Sequence, residues 1–86
     1  MSVYIFTYGT SNTYPYHGGW TQVNANSRAA AIAAFRAVHP DVVEDCINCC
    51  DIYTVDDFVK TSMFKNGNLG SMCHEVITLC VEVKRA

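Results

Sequence analysis

Charge is what this chain has least of. Only 16% of its 86 residues are Asp, Glu, Lys or Arg, and the net charge is −2. The basic residues are scattered at Arg28, Arg36, Lys60, Lys65, Lys84 and Arg85. Duplex nucleic acid is gripped by a basic stripe that neutralises several phosphates, so direct duplex binding is not expected. Long apolar runs are missing as well, and nothing approaches the roughly 18 residues of a membrane-spanning helix. The N-terminal stretch Met1-Ser2-Val3-Tyr4-Ile5-Phe6 has no basic n-region and turns polar at Thr7. The expectation is a chain without signal peptide or membrane span, working in the cytoplasm. Five cysteines, an odd number, in such a chain point to free thiols and not to a disulfide framework.

What the chain does have is apolar bulk. Half of its residues are hydrophobic, enough for one core and one domain over residues 1–86. With so little charge to cover it, some apolar surface is expected to meet a protein partner or a second copy in a homo-oligomer.

The hydrophobic pattern predicts the order β-β-α-β-α-β, an α+β domain with a roughly four-stranded sheet and two helices packed on it. Residues 3–8 alternate Val3/Ile5/Thr7 with Tyr4/Phe6/Tyr8 and read as a strand covered on both faces. Residues 9–19 (GTSNTYPYHGG) read as a loop too long for a tight hairpin turn. Residues 20–25 return as a second strand, with Thr21 and Val23 on the face opposite Trp20 and Gln22. Asn26 or Ser27 then caps a helix over residues 28–39 that contains six alanines. Its sheet-facing side is expected to carry Ala31, Ile32, Phe35 and Val38, and Pro40 stops it. Residues 41–45 are expected to add a helical turn, and residues 47–54 (INCCDIYT) to form the third strand. Thr54 and Asp57 resemble a capping box opening a second helix, with Val55, Phe58, Val59 and Met63 buried and Asn66-Gly67 as its stop. Residues 75–84 close the domain as a strand with Ile77, Leu79, Val81 and Val83 inward.

Chemistry is harder to place. Cys46, Cys49, Cys50, Cys73 and His74 are zinc-type ligands. Cys73 and His74 are adjacent, however, and neighbours on a strand point to opposite faces. Buried thiols acting as small hydrophobes are the expected outcome, with no metal and no cofactor. A thiol enzyme would pair Cys73 or Cys49 with His17, His39 or His74, but no nucleophile signature surrounds either cysteine. The loop is more informative. Tyr14, Tyr16, His17 and Trp20 stand among Ser, Asn, Thr and Gly, a mixture of stiff aromatic surface and adaptable polar groups suited to protein contacts. The same rings could stack a nucleobase, or fold back over the core. Residues 66–71 (NGNLGS) offer a weak amide nest for an anion, with Asn66 and Asn68 as its polar members.

One pattern spans nearly the whole length. It comprises Tyr4, Tyr8, Thr10-Ser11, Tyr14-Pro15, Gly18-Gly19-Trp20-Thr21, Val23, Ala25, Ala30, Phe35-Arg36 and His39-Pro40-Asp41. It continues with Asn48-Cys49, Tyr53-Thr54, Phe58, Thr61, Met63, Gly67-Asn68, Gly70 and Cys73-His74-Glu75. This pattern resembles that of short proteins encoded in phages and prophages of Firmicutes, a resemblance that brings no activity, cofactor or catalytic residue with it. It implies a setting: a small viral accessory protein in the host bacterial cytoplasm, of a kind that often blocks host defence, including CRISPR nucleases. The expectation is therefore a non-enzymatic binding module that inhibits a host protein. The binding residues would be Tyr14, Tyr16, His17, Trp20, Asn66, Asn68 and His74. The alternatives left open are an oligomeric sponge for a nucleotide-derived signal and a cysteine-dependent enzyme or zinc-binding domain.

Overall fold

A computed structural model describes residues 2–9, 13–66 and 73–78. The elements are β1 (Ser2–Thr7), β2 (Trp20–Ala25), α1 (Arg28–Val38), β3 (Asp51–Thr54), α2 (Val55–Phe58), α3 (Ser62–Asn66) and β4 (Cys73–Thr78). The four strands form one mixed sheet in the order β3-β1-β2-β4. β1 is antiparallel to both its neighbours, Ile5 facing Gln22 on β2 and Tyr53 on β3. β4 adds on parallel to β2. This is the small α+β domain expected, with its second helical segment broken in two. The expected strand beyond Thr78 lies outside the described residues, as do residues 68–72 of the connection expected over 68–73; β4 begins at Cys73, two residues before the expected start at residue 75.

Strand alternation sends one set of side chains to each face of the sheet. Phe6, Tyr8, Val23 and Ala25 meet α1 through Ala31, Ala34 and Phe35, with Cys49 completing this buried cluster. The Phe6 and Phe35 rings stack at 4.6 Å and 9° between planes. The opposite face carries Ile5, Trp20 and Tyr53, covered by Phe58 of α2, whose ring lies 5.0 Å from Trp20 and 5.9 Å from Tyr53. Trp20 is thus a packing residue on the face away from the loop.

α1 begins where its capping chemistry directs. Ser27 is extended and its hydroxyl accepts from the Ala30 amide, satisfying one of the donors a helix start leaves open. His39 ends the helix as C-cap, its amide bonded to the Phe35 carbonyl at 2.7 Å. Thr54 likewise caps α2, accepting from the Asp57 amide as the sequence suggests.

Four expectations need correction. Val38 is 49% exposed, at the last residue of α1, with the helix capped at His39. Val55 and Val59 are exposed as well, because α2 runs only four residues before the chain turns, and a helix that short buries a single side chain, Phe58. The third strand starts at Asp51, not at residue 47. Residues 41–45 form no helical turn. There, Val43 and Cys46 form an isolated bridge closed by Cys46 N–H on the Val43 carbonyl at 2.9 Å. Asp45 takes a left-handed φ of 64° at this reversal, a conformation Asp tolerates better than most side chains.

Candidate functional site

Among the described residues, the Glu75 carboxylate joins side chains from three other parts of the chain. It accepts from the Thr21 hydroxyl at 2.8 Å and from His39 Nε2, and its charge lies close enough to Tyr16 to help raise that phenol. Thr21 has a single hydroxyl hydrogen, already given to Glu75, so the hydrogen bond between Thr21 and Tyr8 is donated by the Tyr8 hydroxyl. A carboxylate only accepts, so His39 carries its proton on Nε2. The chain of donors therefore converges from two sides: Tyr8 to Thr21 to Glu75, and His39 to Glu75. It ties together the end of β1, β2, the end of α1 and β4. The His39 and Glu75 side chains are 17% and 21% exposed, so water reaches the pair only from its rim.

Above this cluster lies an aromatic stack. The Tyr16 ring is parallel to the His74 ring at 4.3 Å and 4°, and meets the edge of His39 at 6.0 Å. His74 donates from Nε2 to the Gly18 carbonyl at 2.8 Å, and the Gly18 amide bonds the Gly9 carbonyl at 2.7 Å. Gly18 and Gly19 are both buried with φ near +69° and +66°, a reversal that costs any residue with a Cβ about 1–2 kcal/mol. The second half of the long loop is thereby pinned onto the sheet.

His74 reaches Tyr16 because of an irregularity in the ladder. Trp20 pairs with Cys73 and Thr21 with Glu75, so His74 is an extra residue, a bulge between β2 and β4. Bulges re-aim side chains, and here both His74 and Glu75 reach Tyr16. Strict alternation therefore fails between His74 and Glu75, which both lie on the Tyr8 and Thr21 side of the sheet. Cys73 instead turns its thiol to the Glu75 carbonyl of its own strand, at 3.2 Å.

The other expected residues are distributed differently. Tyr14 lies with Val42, Val43, Cys46 and Ile47 along an apolar cleft of about 300 Å³. His17 is exposed on the loop. Asn66 ends α3, and Asn68 lies outside the described residues, as does the expected 66–71 nest beyond its first residue. The structure thus joins Tyr16 to His74, leaves Tyr14 and Trp20 on separate surfaces, and adds Tyr8, Thr21, His39 and Glu75. Glu75 was detectable in the sequence. It shares parity with Ile77 on the last strand, which places a carboxylate on the inward face where an unpartnered charge is costly.

A larger cleft of about 440 Å³ lies between the start of β1 and residues 54–56, lined by Ser2, Tyr4, Thr54, Val55 and Asp56. It contains none of the expected site residues and no histidine or cysteine.

Burial governs the acid–base character of the core. It pushes the Cys49 thiol from its ordinary 9.0 up to about 12, with Cys50 and Asp51 adding to the effect. It raises Cys50 and Tyr53 as well, and Tyr8 and Tyr16, where Glu75 adds to the effect. Cys49 is accordingly a protonated, buried side chain and not a nucleophile. These shifts share one sign. The folded protein keeps protons that the unfolded chain has released, so this stability is complete below the ordinary values and is lost as pH rises through the folded ones. The midpoint of urea unfolding is expected to be steady to about pH 8.5 and to fall steeply above about pH 9.5, where unfolded thiols and phenols ionise. A midpoint unchanged at about pH 10.5 would contradict the burial of these groups.

Among the described residues no group of three or more His, Cys, Asp or Glu side chains could hold a metal ion, and no helix is long and apolar enough to cross a membrane. No protein-family model matches the chain, and neither does any curated protein or solved structure. The fold and site define a small α+β domain with a closed polar cluster beneath an aromatic loop.

Proposed function

We propose that the chain is a non-catalytic binding module that acts on a protein partner through the surface formed by its aromatic loop and the segment following α1. In the viral setting that the sequence resemblance implies, that partner is a host protein and the effect is inhibition. The single observation that carries the reading is a contrast between neighbouring surfaces. The Glu75 cluster is closed, with every buried side-chain N and O atom of the described residues hydrogen-bonded. Beside it, Val42 and Val43 stand 78% and 64% exposed along the cleft with Tyr14. A reaction centre needs a polar group aimed at open space, whereas this domain spends its polar groups on holding a loop and leaves large apolar side chains in water. Contiguous exposed apolar surface is the usual sign of a contact face.

The test is gel filtration of the native full-length protein from a bacterial host lysate, followed by extraction of small molecules from the same fractions. A protein co-eluting in fixed ratio is expected. A nucleotide extracted in fixed ratio and raising the melting temperature of the purified chain would instead establish the sponge and overturn the reading.

A further inference from the structure

The segment after α1 has a composition and geometry that say more about what it contacts. The residues run Asp41-Val42-Val43-Glu44-Asp45-Cys46-Ile47, an apolar pair set between acids. Asp41 is neutralised locally, since Arg36 Nε binds its Oδ1 at 2.9 Å. Glu44 and Asp45 are exposed, and the ion pairs among the described residues are Arg36–Asp41 and His39–Glu75, so neither acid has a cationic partner there. The reversal at Asp45, closed by the bridge between Val43 and Cys46, fixes the backbone that presents both acids beside the cleft. A surface held in this way loses little conformational entropy when it is covered.

Resting on the binding reading above, we infer that this cleft docks a basic segment of another protein, one that inserts an aliphatic or aromatic side chain between Tyr14 and Val43 and sets Lys or Arg against Glu44 and Asp45. The cleft volume of about 300 Å³ accommodates a large anchoring side chain, and anchors of that kind in a desolvated pocket supply most of the energy of an interface. The acidic rim selects the partner's charge and speeds its approach. The same rim disfavours other occupants. Two copies meeting face to face would oppose Glu44 and Asp45 to themselves, while Arg36 is already engaged with Asp41. Nucleic acid and anionic lipid surfaces carry the wrong sign.

The experiment titrates three synthetic peptides into the isotope-labelled full-length protein and follows its backbone amide resonances. The first peptide is Lys-Arg-Leu-Phe-Arg-Lys. The second replaces its four basic residues with Glu, and the third replaces Leu-Phe with Gly-Gly. The expected result is saturable shifts at residues 14 and 42–48 with the first peptide, weaker ones with the third, and none with the second. Val42→Ser/Val43→Ser and Glu44→Lys/Asp45→Lys should each weaken the first peptide by about ten-fold or more. The amide-preserving pair Glu44→Gln/Asp45→Asn should give a smaller loss that vanishes at high salt. Retained spectral dispersion shows that each variant is folded. Equal shifts from the acidic peptide, shifts centred on Trp20 and Phe58, unaltered binding by Glu44→Lys/Asp45→Lys, or no shift with any peptide would each overturn the inference. Any of these leaves the binding-module reading standing so long as a protein co-elutes with the native chain. That reading falls separately, when a small molecule co-elutes in its place.

Discussion

Replacing Phe35 with alanine is expected to cost about 3–5 kcal/mol, the range for removing an aromatic ring from a packed core. Phe35 is fully buried, stacks on Phe6 and also reaches Tyr8 and His39, at 6.4 Å and 5.1 Å between ring centroids. It is therefore the side chain through which α1, the sheet and the polar cluster share one set of contacts. A domain of this length has a total stability of roughly 4–13 kcal/mol, so the alanine variant should lose a large share of it and unfold at a much lower urea concentration. Phe35→Leu keeps most of the volume and should cost less than about 1.5 kcal/mol. Urea denaturation of both variants measures the difference. Equal, small losses would mean that α1 does not close the core as described.

The second large effect belongs to Glu75. Glu75→Ala removes a common acceptor from Thr21 and His39 at once. Hydrogen bonds to a charged acceptor contribute about 1.5–3 kcal/mol each, but water can enter at the rim of a pair that is partly exposed. A net cost of about 2–4 kcal/mol is expected, or a melting temperature lower by on the order of 15 °C in a domain this small. Glu75→Gln keeps an acceptor of the same size without the charge, and about half of the loss is expected. A purely steric role would make the glutamine variant equal to wild type. Local exchange discriminates further, because the Gly18 amide is protected only while the loop stays pinned by Tyr16 and His74. Its exchange should quicken in both variants by more than the global loss explains.

These two side chains also show how far the sequence could be read. α1 was legible because several local signals agree: Ser27 as cap, six alanines, and Pro40 beyond the end. Phe35 followed from the same periodicity. Val38 did not, since helical spacing gives a direction but not what covers the last residue of the helix. The break between α2 and α3 escaped for a related reason. Val55, Phe58, Val59 and Met63 fit a continuous helical stripe, yet the chain bends after four residues, and within α2 Phe58 alone is buried, the Met63 side chain lying outside the described residues. Glu75 was half legible, its inward parity visible but its partners not. Tyr8, Thr21 and His39 come from three separate elements and meet it only through the sheet order β3-β1-β2-β4.

The bulge at His74 had no signal in the sequence. One extra residue in a parallel ladder changes which side chains meet, and alternation counting assumes there is none. In the sequence the aromatic loop reads as one surface. Register and hydrogen bonding divide it: Tyr16 turns down into the polar cluster, while Tyr14 borders the cleft beside Val43. The apolar face it borders was read from residues 41–45 as a helical turn, and a turn closed at Asp45 exposes Val42 and Val43 where a helix would have rotated one of them inward.

The division of labour between a polar cluster that holds the loop and an apolar face that makes contact is tested most directly by the Val42→Ser/Val43→Ser variant. Both side chains are exposed, so the melting temperature should stay within about 4 °C of wild type. Recovery of the co-eluting protein from host lysate, compared at equal amounts of folded bait, is the decisive quantity. Loss of that protein with the fold intact is the expected result. Undiminished recovery would contradict the proposed contact face and place the partner on another surface of the domain.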